Sequence, residues 1–246
     1  MQTDAVVLCG GLGTRLRSTI GETQKAMARM GERPFLDLIL LFLKNAGFRR
    51  VVLSTGYQAQ EVEAYYRKDS LGLTIDFSRE KTPLGTGGAV KHVRPLVNSD
   101  PFIVLNGDSF CPLDYSAFFQ FHQDRNALAT IAVSKVCDPK DFGAVLMGDD
   151  QRIREFREKP QDAKGEKGKS QQGYVNAGIY CLAQGSFAFM PPAPCFSIEK
   201  EFFPRILREP CYGFPVPQTF MDIGTPERYR EAQQMMGEMM RRLAKK

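Results

Sequence analysis

Several absences narrow what this chain of 246 residues can be. No apolar run approaches the ~18 residues that cross a bilayer, and no charged segment precedes the first apolar stretch. Neither a membrane span nor a secretory leader is therefore expected, and cytoplasmic residence is the default. The six cysteines, Cys9, Cys111, Cys137, Cys181, Cys195 and Cys211, include no C-x-x-C pair. Several lie in apolar runs, where a reduced thiol packs as a small hydrophobe, so no disulfide framework or zinc site follows. No block of about five or six like charges occurs, which removes a nucleic-acid arm; the net charge of +5 suits a small anionic substrate instead. Two standard phosphate cradles are also missing. A dinucleotide fingerprint G-x-G-x-x-G, counted from Gly11 and Gly13, meets Leu16 where the third glycine belongs, and a Walker G-x-x-x-x-G-K-[ST] occurs nowhere. An NAD-type oxidoreductase is excluded on that ground. The two histidines, His92 and His122, belong to no Ser–His or Cys–His constellation and read as structural or surface residues.

What is present is the composition of an ordinary folded domain, 43% apolar and 25% charged, in a chain long enough for one sizeable core. A single domain over 1–246 is expected. The runs "DAVVLC" (4–9), "RRVVLSTGY" (49–57), "LTIDFS" (73–78) and "PFIVLNGD" (101–108) read as strands. Between them "PFLDLILLFLKNAGF" has helical apolar spacing and ends at Gly47, and "GTGGAVKHV" opens as a loop and continues as a helix. This alternation predicts an α/β fold of Rossmann-like type: a mixed, largely parallel central sheet with helices on both faces. "YSAFFQFHQDRNA" reads as a further helix, "LATIAVSKV" and "GYVNAGIYCL" as further strands, and 161–172 as a hydrophilic loop. The closing "TPERYREAQQMMGEMMRRL" carries a threonine cap, a proline at the first helical position and Tyr229, Ala232, Met236 and Met239 at helical spacing. Such a stripe is packing rather than a cofactor box, and the second half of the chain is expected to extend the sheet of the first.

The chemistry concentrates in "VVLCGGLGTRLR" (6–17). Glycines directly after a first strand let main-chain N–H groups approach a phosphate, although a ligand-free tight turn would also use them. Arg15 follows, placed for bidentate contact with phosphate oxygens, and Lys25 lies ten residues on. Asp108 stands at the carboxyl end of an apolar strand, where open α/β sheets present ligands. Asp222 in "FMDIGTP" precedes a glycine and a helix cap. A turn or cap role fits each acid as well as a functional one.

The motifs "LCGGLGTRLR" with a lysine soon after it, "PLGTGGA" (83–89), "VLNGD" (104–108), "REKP" (157–160), "NAGIY" (176–180) and "FMDIGTPERY" (220–229) stand in the order found in the sugar-1-phosphate nucleotidylyltransferases, which the chain resembles over nearly its whole length. The run "SIEKEFFPRIL" and the "DIGTPERY" ending look most like the heptose 1-phosphate guanylyltransferase branch. The family usually places proline before its loop lysine, whereas this chain has Gln24; without the ring's fixed φ, a freer loop is expected.

The resemblance implies that Asp108 and Asp222 together hold Mg²⁺, an ion that commonly uses one or two carboxylates plus substrate phosphates. It implies attack by the phosphate oxygen of a sugar 1-phosphate on the α-phosphorus of a nucleoside triphosphate, with pyrophosphate leaving. The nucleophile is already an anion, so positioning and charge neutralisation suffice and no general base is needed. Arg15, Lys25, Asp108 and Asp222 become the candidate catalytic residues. Leu8, Gly10, Gly11, Gly13, Thr14, Glu80, Gly85, Thr86, Asn106 and Gly107 are the candidate nucleotide contacts, and Gly143, Glu158, Lys159 and Asn176 the candidate sugar-phosphate contacts. In relatives the residue five positions before the glycine of the GTGG-like motif reads the base, and here it is Glu80. A carboxylate only accepts, which matches the adjacent N1–H and N2–H₂ donors of guanine and favours GTP. Heptose rests on the branch resemblance, with mannose 1-phosphate as the alternative. A nucleotide-binding regulatory module is a further alternative, against which both acids stand beside Arg15 and Lys25. Relatives are often homodimers.

Overall fold

The first strand, β1 (Ala5–Cys9), sends alternate side chains into two different apolar layers: Val7 and Cys9 into one, Val6 into the other. A strand buried on both faces belongs in the middle of a covered sheet. The computed structural model describes residues 3–136, 144–157, 173–216 and 221–243, excepting the side chains of 136, 157 and 236–243.

After β1 the chain forms α1 (Arg17–Ile20), β2 (Arg29–Met30), β3 (Arg33–Pro34), α2 (Phe35–Asn45), β4 (Arg50–Thr55), α3 (Ala59–Lys68), β5 (Thr74–Arg79), α4 (Gly85–His92), β6 (Phe102–Asn106) and β7 (Ser109–Phe110). It continues with α5 (Tyr115–Asp124), β8 (Ala129–Val136), β9 (Ala144–Met147), β10 (Ile153–Arg157), β11 (Gly173–Leu182), β12 (Cys211–Val216), β13 (Met221–Asp222) and α6 (Pro226–Leu243). Among the described residues nine strands share one sheet, ordered β10-β9-β11-β6-β1-β4-β5, with β8 joined to β11 and β12. The β6-β1-β4-β5 half is parallel. Antiparallel β11 locks onto β6 and carries β8 and β9, so the second half of the chain extends the first half's sheet.

One layer packs α2, α5 and α6 against the sheet; the other packs α4 and the segment around Phe187–Ile206. In α2, Phe35, Leu36, Leu38, Ile39, Leu40 and Leu43 are all buried, each stabilising by roughly 1.5–3 kcal/mol, and Leu38→Ala would cost about 2–5 kcal/mol. At the start of α6 the Thr225 hydroxyl accepts from Arg228 N at 3.3 Å, and Tyr229 and Ala232 are buried as their spacing requires. The thiols of Cys9, Cys111, Cys181 and Cys211 are buried, and burial raises the Cys111 pKa to about 11 and the Cys211 pKa to about 12. Cys137 lies outside the described residues. His122, on the buried face of α5, has Nδ1 2.9 Å from the Thr130 hydroxyl, and burial lowers its pKa to about 4. No helix among the described residues is long and apolar enough to cross a membrane.

Candidate active site

Strand order reverses at β1: β4 lies on one side and β6 on the other, and the crevice at their carboxyl ends is where such sheets take ligands. A cavity of about 400 Å³ opens there, within the usual range for small-molecule sites. Its walls include every nucleotide contact expected from the sequence, together with Arg15, Lys25 and Asp108. Asp222 is represented on the wall by its neighbour Gly224, and Asn176 does not reach it. Gly143, Glu158, Lys159 and the 161–172 loop lie outside the described residues.

The loop glycines differ in what they do. A side chain on Gly10 would meet Glu80 Oε1 at 2.7 Å, and one on Gly13, whose φ is +59°, would meet Lys25 Cβ at 2.9 Å. Gly11 has nothing within 4 Å of that position. Its missing side chain leaves open space for a ligand beside bare backbone, while Gly10 and Gly13 serve the loop's own closure. Leu16 is fully buried and anchors the loop from below.

Gln24 corrects the expectation of a freer loop. It is 2% exposed, its Oε1 accepts from Ala26 N and from Met27 N at 3.2 Å, and its Nε2 donates to the Cys9 carbonyl. The side chain thus caps the 3₁₀ turn Lys25–Met27 and ties it to the end of β1. The turn's first residue, Lys25, is 13% exposed at its side chain and places Nζ 2.6 Å from Asp108 Oδ2.

The two acids, distant in sequence, meet through a two-stranded sheet. β7 pairs with β13, setting Ser109 opposite Asp222, and Ile223 N donates to the Asp108 carbonyl at 3.1 Å. Asp222 accepts from Gly224 N at 2.8 Å and from Arg228 Nη1 at 2.9 Å. A methyl built on Gly224 would lie 2.7 Å from Asp222 Oδ1, 3.8 Å from Lys25 Nζ and 3.9 Å from Arg15 Nη2, so three of the four candidate catalytic groups surround one point and the fourth is hydrogen-bonded to Lys25. Among the described residues no group of three or more His, Cys, Asp or Glu side chains could enclose a metal. Asp108, on the cavity wall, and Asp222, beside Gly224, are two hard carboxylates of the kind Mg²⁺ shares with substrate phosphates.

Beside Gly10, Glu80 is half-buried. Burial raises its carboxyl above the ordinary range, opposed by donation from Leu84 N at 3.1 Å and from the Ser54 hydroxyl at 3.4 Å. These bonds hold the carboxylate at the cavity with further lone pairs available. The GTGG glycines have a different purpose. Gly87 N and Gly88 N both donate to the Phe196 carbonyl, and side chains there would meet Phe196 and the Pro194 carbonyl at 2.2 Å. They permit close backbone approach, and those two N–H groups are engaged away from any phosphate. Sequence reasoning missed the roles of Gln24, Arg228 and Gly224. Gln24 has no spacing signal, since a cap is recognised only once the turn exists, and Arg228 lies within a helix turn whose orientation toward Asp222 is tertiary.

An open α/β sheet with glycine loop, arginine, lysine and paired aspartates at its switch point defines a nucleotidyl-transferring protein, and the chain belongs to the nucleotidyl transferase family, which matches residues 4–238. Over 94% of its length it is 34% identical to D-glycero-alpha-D-manno-heptose 1-phosphate guanylyltransferase of Aneurinibacillus thermoaerophilus, 96% of which is covered. It is 34% identical over 92% of its length to mannose-1-phosphate guanylyltransferase of Mycobacterium tuberculosis and spans 62% of that protein. Among solved structures, HddC from Yersinia pseudotuberculosis complexed with GMP-PN superposes with a TM-score of 0.82 at 32% identity, covering 96% of this chain and all of that one.

Proposed function

We propose that the protein transfers a guanylyl group from GTP to a heptose 1-phosphate, forming a nucleotide-activated sugar and releasing pyrophosphate. The observation that carries this reading is the convergence of Arg15, Lys25 and Asp222 around Gly224, with Asp108 bonded to Lys25. The likeness to heptose 1-phosphate guanylyltransferase over nearly the full length of both chains supports the substrate.

In this reading the backbone beside Gly11 receives the triphosphate, and Arg15 neutralises charge on the departing pyrophosphate. A sugar-phosphate oxygen attacks the α-phosphorus as the bond to the bridging oxygen of the β-phosphate breaks. Lys25 holds the α-phosphate side, exchanging its Asp108 partner for a phosphate oxygen. Asp108 and Asp222 would hold Mg²⁺, which supplies positive charge to the triphosphate when bound. Glu80 accepts from the guanine N1–H and N2–H₂. By resemblance, Glu158 accepts sugar hydroxyls, Lys159 faces the sugar's phosphate, and Gly143 and Asn176 touch the sugar.

Pyrophosphate release is measured for four nucleoside triphosphates against heptose, mannose, glucose and N-acetylglucosamine 1-phosphates with Mg²⁺. The expected result is turnover with GTP and heptose 1-phosphate. Turnover confined to mannose 1-phosphate would reassign the sugar, and none with any pair would overturn the transfer reading. Glu80→Gln should lower the preference for GTP over UTP about tenfold or more, the worth of a bidentate base contact. An unchanged preference would place base selection elsewhere.

A further inference from the structure

Tyr180, on β11, is fully buried, and its hydroxyl is hydrogen-bonded by side chains, that of Asn106 on the cavity wall among them. It donates to Glu199 Oε1 at 3.3 Å and accepts from Asn176 Nδ2 at 3.0 Å. Asn176 Oδ1 accepts from Gly178 N at 2.8 Å, so the carboxamide is held at both ends and its orientation is fixed. Glu199 Oε2 accepts from the Thr86 hydroxyl at 2.7 Å and from the Ser197 hydroxyl at 2.7 Å. The Thr86 hydroxyl in turn accepts from Ile198 N at 2.9 Å. A continuous chain of hydrogen bonds therefore runs from Thr86, on the cavity wall at the start of α4, through Glu199 and Tyr180 to Asn176 on β11. Thr86 and Glu199 are 113 positions apart in sequence.

The Glu199 carboxylate accepts three hydroxyl donors and forms no ion pair among the described residues. A carboxylate bonded to a residue on the wall of an anion site repels the ligands, and an apolar contact between α4 and β11 would join the two elements without that cost. What a carboxylate adds is direction, because three hydroxyls aimed at it have only one arrangement each. Resting on the transfer reading above, we infer that Glu199 and Tyr180 are positioning residues, forming a bridge that sets the nucleotide contact Thr86 and the sugar contact Asn176 in one fixed register. Two substrates that must meet in line tolerate little relative error; about 1 Å of misplacement costs on the order of 10²-fold in rate.

The test uses the full chain as wild type, Tyr180→Phe, Glu199→Gln and Thr86→Val. Dissociation constants for GTP and for D-glycero-α-D-manno-heptose 1-phosphate are measured by calorimetry, alongside pyrophosphate release and melting temperature. Tyr180→Phe, which removes the partner of Asn176 Nδ2 while leaving the Thr86–Glu199 bond in place, should weaken sugar-phosphate binding about tenfold and GTP binding by less. Thr86→Val should do the reverse. Glu199→Gln, which has the size of the native side chain but the wrong donor toward Thr86, should weaken both and lower kcat. A merely structural role would shift both affinities together with the melting temperature in all three variants, and that pattern overturns the bridge, as do unchanged affinities. Should Tyr180→Phe fail to fold, the half-buried Glu199→Gln decides by its melt: both affinities weakened at an unchanged melting temperature support the bridge, and a lowered melting temperature alongside them overturns it. A wild type that releases no pyrophosphate would overturn the transfer reading, whereas an active wild type with unaltered variants would overturn the bridge alone.

Discussion

Substituting alanine separately at Gly11 and Gly13 distinguishes a glycine needed by the ligand from one needed by the fold. At Gly13 the φ of +59° costs an L residue roughly 1–2 kcal/mol, and the new methyl would stand 2.9 Å from Lys25 Cβ. A total near 2 kcal/mol lowers the melting temperature by about 4–8 °C in a chain of this size. At Gly11 no atom lies within 4 Å of the new methyl and φ is outside the left-handed region, so stability should stay within about 0.5 kcal/mol. The methyl occupies the space assigned to the triphosphate instead. Overpacking of about 1–3 kcal/mol raises the KM for GTP by roughly 5- to 150-fold. Calorimetric melting and pyrophosphate release at varied GTP read the two effects independently. Equal destabilisation by both substitutions, or a Gly11→Ala enzyme with the wild-type KM, would refute the division of labour.

Arg15→Ala should lower turnover by ~10²- to 10³-fold, the worth of an electrostatic transition-state donor, with an unchanged melt because its side chain is exposed; unaltered steady-state turnover removes it from the mechanism. Gln24→Ala should cost roughly 1–3 kcal/mol of stability by leaving the Cys9 carbonyl without its buried donor, and should reduce kcat as Lys25 loses its fixed turn. Gln24→Pro should recover kcat but not full stability, since the native φ of −60° is the angle that proline imposes; equal kcat loss in both variants argues against loop positioning. The neutral His122 imidazole is the folded form, so its contribution is complete above the ordinary pKa of about 6.5 and is lost as pH falls toward about 4. Urea unfolding should show ~1 kcal/mol less stability from this group at pH 5.5 than at pH 7.5, and His122→Gln should remove that part of the slope; a variant with the wild-type slope would assign it to other groups.

Strand and helix periods in β1, β4, β6, α2 and α6 were legible because each is apolar on a regular repeat, and local repeats reflect local geometry. The α3 segment was not, since it buries only Ala59, Val62 and Tyr66 among polar neighbours. β9, β10 and β12 also went unread, because their place is set by pairing partners. In the site, the glycine loop, Arg15, Lys25 and the two aspartates announce themselves by residue type and by position after strands. The grip of Gln24 on Lys25 does not, nor does the brace of Arg228 on Asp222.

By itself the sequence determined the class of fold and the types of group that a triphosphate and a metal would need, because periodicity and chemistry are properties of single segments. Only the tertiary structure decided that Asp108 and Asp222 share a neighbourhood, that Gly87 and Gly88 serve Phe196, and that Glu199 lies between Thr86 and Tyr180. Each of these depends on strand pairing or backbone approach between segments far apart in the chain, and hydrogen-bond partners at such separations leave no spacing rule in one sequence.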